Sequence, residues 1–527
     1  MQQGPHSIFN SWIPQKFVVP ILILTAFPHL MLLSIFNMNS TFSASFLDLE
    51  VDDLQFLFCM AYGTIVCSLF FHTRIYGFFN IRSYLLVTTM LNILILLGMT
   101  MTANPQLILL LRFAQGPLMF LEGVILLPII MSNIKSPHAK IIGFSFLYSY
   151  MLTGDKITLT LVKFAIENYS HNVMLYTIIA FHVLTLFIFI FLFNENRMFP
   201  KKPMYQMNLG GVCLMVICVV CGAFFFVYGK KYEWFESPLI VFSCIGMLVS
   251  AGLFLLHQKT SKRPLFHFEI FRSERIILGI ILFFFFYILR GSMSNIYQVM
   301  NVVWKWEWEY VLKVQYFNVG GSLTGALVAC IMMMKKIDLR IMIGIGFTLI
   351  TGTMLWFSYL FYPDVTLLAI APPLFLEGLG QGFVFAPLVF YMLGSVHADF
   401  SGSASHAGTT IRFWTTTIGY AIMQNAMFYL TTKNQNMMTK NMDISNPIFQ
   451  NEWNALVNKN GLTHITNETI NMSAAIMKSR LYNQALLISC MELFTALFIM
   501  GLCVVIGLIS YQTIKTRFFA KKSKGLV

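Results

Sequence analysis

Charge is what this sequence has least of. Only 11% of its 527 residues are Asp, Glu, Lys or Arg, against 57% hydrophobic, and the mean hydropathy is +0.71. Soluble domains carry about 25% charged residues, so a soluble globule is excluded and a polytopic membrane protein is the class that remains. Acids are the scarcer sign, 22 against 35 Lys and Arg, for a formal net charge of +13. In a membrane chain such an excess collects in cytoplasmic connections, and it need not imply nucleic acid. The 11 histidines form neither HExxH nor HxxxH groupings, so metal chemistry has no visible site. No GxxxxGK[ST] loop is present, which leaves ATP without a cradle. The nine cysteines, among them Cys59, Cys213 and Cys330, lie in apolar runs and read as small core residues. An enzyme and a cofactor are therefore not expected. Met1 to Gln15 is polar and lacks a signal peptide's apolar core and cleavage site, so the first span is expected to be retained.

Long apolar runs are what the sequence has in place of charge. About fourteen are long enough to span a bilayer, at 16–37, 54–73, 83–102, 105–132, 141–165, 172–194, 207–228, 237–257, 275–298, 311–334, 339–361, 365–393, 406–431 and 485–511. The fold class expected is an all-α polytopic membrane protein. Alternate connections hold Arg74 and Arg82; Lys135 and Lys140; Arg197, Lys201 and Lys202; Lys259, Lys262, Arg263, Arg272 and Arg275; and Lys335, Lys336 and Arg340. The opposite set is poorer in basic residues, and its first member is acidic, with Asp48, Glu50, Asp52 and Asp53. Positive charge stays inside, so both termini are expected to be cytoplasmic. Lys230 and Lys231 fall on the wrong side of that assignment.

One outer connection stands apart. Residues 432–483 are polar and Asn-rich, with Trp453, Leu456 and Val457 at helical spacing. Either it docks an extracytoplasmic partner or it is a solvated cap on the last hairpin.

The apolar run from Pro105 to Met131 contains Arg112, Gln115 and Glu122. A charge at that depth costs roughly 3 kcal/mol, so such residues face a bundle interior and mark a pathway or a pairing partner. The tetrapeptide Phe120-Leu121-Glu122-Gly123 recurs as Phe375-Leu376-Glu377-Gly378. The recurrence suggests an internal duplication, although Gly116 can also be aligned with Gly378. The inside connection from His257 to Arg275 separates the halves. The expected division is a six-helix unit at 1–200, two linker helices at 201–262 and a second six-helix unit at 263–527.

Without ATP, a transporter must use an ion gradient, and a buried carboxyl beside a movable cation is a natural proton carrier. Glu122, Asp155 and Glu377 are the candidates, Glu122 and Asp155 first. Arg112 and Asp155 fall at similar depths and are expected to pair, unless Arg112 is a structural clamp on carbonyls. Lys156 adjoins Asp155 in sequence, where the two should not face each other. Lys156 and Lys163 share a face that could attract an anion or pair with neighbouring acids. Arg290 and Arg412 need partners that the sequence does not identify. Gly378, Gly380 and Gly382 suit close helix contact. The 52 Phe, 21 Tyr and 33 Met could line a cavity for varied apolar ligands, though most of them face lipid or core.

Arg112-Phe113-Ala114-Gln115-Gly116 resembles the fourth-helix motif of the major facilitator superfamily. Lys262-Arg263-Pro264-Leu265-Phe266 to Ile270-Phe271-Arg272 is similar to the segment entering the second half of the superfamily's fourteen-helix EmrB/QacA-type drug:proton antiporters. The run from Glu377 through Gly378, Gly380, Gln381 and Gly382 to Pro387, then Ser401-Gly402-Ser403-Ala404 and Ile411-Arg412, resembles that branch's twelfth and thirteenth helices. The departures are specific. The stretch His72 to Arg82 lacks the family's acid, Leu32 stands near the place of its first-helix Asp, and Thr153-Gly154-Asp155-Lys156 replaces its Gly-Pro signature. The resemblance implies a major facilitator fold and proton-driven export of small amphipathic molecules by alternating access. It also implies a periplasmic adaptor and an outer-membrane channel as partners, in a bacterial inner membrane. Transport of one metabolite or anionic solute, or a non-transporting scaffold, are the alternatives.

Overall fold

The computed structural model describes residues 8–36, 40–169, 171–197, 201, 208–261, 264–394, 396–397, 400–440, 442–443, 445–460 and 467–524. Lys202, Lys262 and Arg263 of the expected basic connections lie outside them. Apart from one isolated bridge, Phe9 to Phe193, the described residues contain no strand pairing. An apolar solvent forces each segment to satisfy its own backbone, and a helix does this within one segment.

The N-terminal helices are α1 (Gln15–Met31), α2 (Ser40–Leu47), α3 (Val51–Ser68), α4 (His72–Phe78), α5 (Ile81–Thr100), α6 (Pro105–Asn133), α7 (Ala139–Asn168) and α8 (His171–Leu192). Then come α9 (Leu209–Tyr228), α10 (Pro238–Thr260), α11 (Glu274–Gly291), α12 (Met293–Val302), α13 (Trp308–Met334), α14 (Leu339–Ser358) and α15 (Leu367–Leu393). The last are α16 (Ser401–Thr439), α17 (Pro447–Asn460) and α18 (Asn467–Lys524). Among the described residues, 11 segments are long and apolar enough to cross a membrane. They are α1 with the turn that follows it, α5, α6, α8, α9, α10, α11 continuing into α12, α13, α14, α15 and α18. Helices α3, α7 and α16 occupy the other three places where spans are expected. Each carries a larger polar load: Asp52 and Asp53 on α3, Asp155 and Lys156 on α7, and repeated Thr and Asn on α16.

The chain packs as two compact units, Met1–Phe284 with Ser322–Ile343 and Gly382–Ala421, and Phe285–Gly321 with Gly344–Gln381 and Ile422–Val527. In the first unit, α1, α5, α6 and α8 enclose a core of Val18, Leu22, Leu85, Leu126, Ile129, Phe189 and Phe193. The glycine that ends the Arg112–Gly116 motif lets α6 press on α3. A Cβ at Gly116 would overlap both Thr64 Oγ1 and the Ala61 carbonyl. At the acidic end of α3, Glu50 and Asp53 close a reciprocal capping box. Asp53 also accepts a 2.6 Å bond from Tyr228, and Asp52 a 2.9 Å bond from Tyr420. Lys231, out of place by the charge rule, lies 2.8 Å from Glu50. That hydrogen bond raises its pKa above the usual lysine value. The misplaced cation is thus neutralised by the acidic connection it faces.

In the second unit, α18 packs on α12 and α17, and the Phe494 ring meets Phe357 edge to face and Phe361 at a tilt. The segment 432–483, expected as a polar loop, is mostly helical. Helix α16 continues to Thr439, α17 follows, and α18 begins at Asn467. The helical spacing of its apolar residues explains why: Leu456 and Val457 are buried, leaving the polar faces of α17 to water. Asn434 donates to Ser489 at 2.9 Å, and Lys433–Glu492 and Arg480–Glu452 pair at 3.2 and 3.4 Å. At 1.5 Å per residue, the stretch of α18 from 467 to 484 extends roughly 27 Å before the apolar run begins.

Candidate functional site

Helix α6 carries two polar groups that apolar surroundings would not tolerate unpartnered, Arg112 and Glu122. Both are completely buried, at 1% and 0% exposure. They solve the problem separately. Arg112 donates to the Leu32 and Leu33 carbonyls at 2.8 and 3.0 Å and to Gln115 at 2.6 Å, with its guanidinium 5.5 Å from the Phe36 ring centre. Those carbonyls are available because α1 passes through a 3-10 turn at Leu32–Ser34, where the α-helical bonding pattern lapses. Leu32, standing near the place of the family's first-helix Asp, meets the arginine through its backbone instead.

Asp155, the expected partner of Arg112, is taken by Lys156. Adjacent residues point about 100° apart on a helix, yet a lysine stem is long enough to fold back along it. Lys163 pairs with Glu167 at 3.3 Å, one turn on. The shared face of Lys156 and Lys163 is therefore occupied by carboxylates.

Glu122 stands among groups from three other helices. Asn92 of α5 donates to Oε2 at 2.7 Å, and His29 Nδ1 of α1 lies 2.6 Å from the same oxygen. The imidazole is turned so that neither ring nitrogen makes an aligned hydrogen bond among the described residues, and Glu122 Oε1 has no hydrogen-bond partner there. The His29 ring is stacked on Phe189 at 6.0 Å and meets the edge of His182, of α8, at 5.4 Å. All four polar side chains are fully buried. Tyr84 closes the floor, its hydroxyl donating to the Leu121 carbonyl at 2.6 Å. Sequence reasoning picked out Glu122 and missed His29, Asn92, His182 and Tyr84. The signal was present: each is a polar residue inside an otherwise apolar run.

Glu377 is also fully buried, but its surroundings differ in kind. Asn318 of α13 and Gln381, one turn along α15, each donate to it at 2.5 Å, one to each carboxylate oxygen. Neutral amides thus satisfy it. Arg412 donates to the Gly408 carbonyl at 3.1 Å and to Thr409 at 2.7 Å, and its guanidinium lies 5.6 and 5.8 Å from the ring centres of Tyr148 and Phe385, which meet each other edge to face. Arg290 is half-buried in the last turn of α11. Gly154 packs against the ring of Tyr150, while Gly378, Gly380 and Pro387 are buried within α15.

No family model matches the chain. Its sequence is similar to the multidrug export protein EmrB of Haemophilus influenzae, at 24% identity over 305 residues, covering 56% of this chain and 57% of that one. It is similar also to EmrY of Escherichia coli, at 22% over 317 residues, or 58% and 59%. The chain thus matches a little over half the length of these relatives. Among solved structures, the peptide transporter POT in complex with sulfate superposes with a TM-score of 0.55 at 12% identity, over 93% of this chain and 94% of that one. The human organic anion transporter MFSD10 gives 0.51 at 10%, over 94% and 100%. This is the major facilitator fold. The proteins it resembles are transporters, not enzymes.

Two glycine contacts in the first unit are alike. Gly382 of α15 abuts Ser322 and Ala326 of α13, as Gly116 of α6 abuts Ala61 and Thr64 of α3. In both places a glycine allows two helices to approach closely. Glu122 and Glu377 differ in their contacts: an amide and an imidazole meet the first, two amides the second.

Proposed function

We propose that the chain is a secondary active exporter of small amphipathic, drug-like molecules, driven by protons and working by alternating access. The observation that carries this reading is Glu122, a fully buried carboxyl within contact distance of an imidazole in a membrane-crossing helix. A group able to exchange a proton there is what coupling to a proton gradient needs. Similarity to EmrB and EmrY supports export and the substrate class. In this proposal residues 1–200 and 263–527 are the moving units, 201–262 are added helices, and both termini face the cytoplasm of a bacterial inner membrane. Outside protons load Glu122 and favour return to the inward state. Asp155 and Glu377 are subordinate sites, because Lys156 already pairs with the first and Asn318 and Gln381 already donate to the second.

The partners in this proposal are a periplasmic adaptor and an outer-membrane channel, with the projecting α16–α17–α18 assembly as the adaptor's contact. Its support is the resemblance to EmrB-type exporters and the helical extension beyond the apolar run.

A second reading, transport of an anionic aromatic solute, is favoured by the buried guanidinium of Arg412 beside the aromatic pair Tyr148 and Phe385. Purified protein in proteoliposomes, screened against amphipathic cations and aromatic carboxylates with and without an imposed pH gradient, tests both readings. The first expects gradient-dependent movement of cations, the second of carboxylates. No gradient-dependent movement of any compound would contradict both and favour the scaffold alternative.

A further inference from the structure

We infer that the coupling proton is held by a three-residue site, His29, Glu122 and His182, and not by one carboxyl. This rests on the proton-coupled reading above and adds to it the chemistry of the proton's binding site.

Geometry fixes what each member can do. His182 Nδ1 lies 2.8 Å from the Ile178 carbonyl, which can only accept, so Nδ1 carries hydrogen. Nε2 is then a lone pair, fully buried and without a hydrogen-bond partner among the described residues. His29 has neither nitrogen engaged in an aligned bond, although Nδ1 is in contact with the carboxylate. A core histidine kept only for packing normally has its nitrogens satisfied, since an orphaned buried polar atom costs about 1–3 kcal/mol. Two neighbouring imidazoles with three orphaned nitrogens beside a half-satisfied carboxylate suit a group whose proton content changes.

The charge count points the same way. With both imidazoles neutral and Glu122 ionised, the cluster carries one negative charge. Asn92 is the one described donor to the carboxylate. One added proton brings the cluster to zero whether it rests on the carboxyl or on His29, and the apolar surroundings favour that neutral total. A second proton would leave a net positive charge in the same place. The site therefore exchanges one proton between two neutral-total arrangements, with His182 Nε2 as a further acceptor.

The other titratable groups facing it are accounted for. Tyr84 of α5 has its hydrogen on the Leu121 carbonyl, and Arg112 on α6 is bound to Leu32, Leu33 and Gln115. From α7, the Tyr150 ring packs on Phe27 while its hydroxyl has no hydrogen-bond partner among the described residues, and Asp155 is paired with Lys156. Because His29, Glu122 and His182 belong to α1, α6 and α8, loading and unloading alter the attraction among three helices. That gives the proton a mechanical consequence.

Infrared pH-difference spectroscopy of the purified protein in lipid tests this without a substrate. In the wild type, a carboxylic C=O band and imidazolium bands are expected to titrate together with a total of one proton. Glu122→Gln removes the C=O band. His29→Gln removes most of the imidazolium signal and strengthens the C=O band about twofold, since the proton then has only the carboxyl. Should His29→Gln fail to fold by circular dichroism, His182→Gln gives the second reading, a loss of part of the imidazolium signal. Imidazolium bands unchanged in the folded histidine variants would overturn the inference, as would a C=O band unchanged in Glu122→Gln. A failure of gradient-driven transport with these spectra intact would overturn the export reading and leave the proton site standing.

Discussion

His29 Nδ1 and Glu122 Oε2 are 2.6 Å apart, fully buried, and contributed by α1 and α6. A carboxylate in hydrocarbon is costly unless it is hydrogen-bonded or neutralised. Here one side chain donates to it squarely, and the other lies beside it without alignment. Arg112, the residue expected to manage charge on α6, is committed elsewhere. The two charged residues of the helix thus have separate sets of partners.

The Arg112 contacts predict a structural role. Arg112→Lys retains the charge but cannot reach two carbonyls and Gln115 at once. It should lower stability in detergent by about 1–3 kcal/mol, read as a fall in melting temperature. Asp155→Asn should add to that effect within about 0.5 kcal/mol in the double variant, because the two residues share no partner. A larger coupling energy would show that they do interact.

The α6–α3 crossing makes its own prediction. Gly116→Ala places a methyl group on a backbone carbonyl that cannot swing aside, and should cost about 1–3 kcal/mol by overpacking. Gly123→Ala, where the added carbon meets nothing within 4 Å, is the matched control and should be close to neutral. Thermal unfolding of the two variants side by side decides it.

How legible all this was depended on range. Span positions and the polar load of α6 follow from local composition, so they could be read from sequence. The partners of Arg112 could not, because a carbonyl has no sequence signature and the lapse at Leu32–Ser34 is a local conformational event. His29 and His182 were readable as single polar residues in apolar runs. Their meeting at Glu122 depends on how α1, α6 and α8 pack.

For the segment after α16, the outcome turns on two buried side chains. Leu456→Asp should detach α17 from α18 and make 447–460 a protease-sensitive strand of chain, leaving the membrane spans resistant. Arg480→Ala, which removes an exposed ion pair, should change little, since such pairs are worth about 0–1 kcal/mol. Limited proteolysis of intact protein in lipid distinguishes them.

Lys231 gives a pH prediction. Its pKa is raised by the hydrogen bond to Glu50, so the stabilisation from its charged form is complete below the ordinary lysine value, about 10.4. It is lost as pH climbs through the raised folded value. The small melting-temperature difference between wild type and Lys231→Met should therefore hold constant from about pH 7 to about pH 9 and close only in stronger alkali. A difference already fading near neutrality would contradict the pairing.

The most direct test of the account is proton-driven movement of a fluorescent amphipathic cation across proteoliposomes containing wild type or Glu122→Gln. The account predicts gradient-dependent transport by the wild type and a loss of at least about tenfold in the variant, as for a group that must exchange the coupling proton. Undiminished gradient-driven transport in a folded Glu122→Gln protein would contradict it.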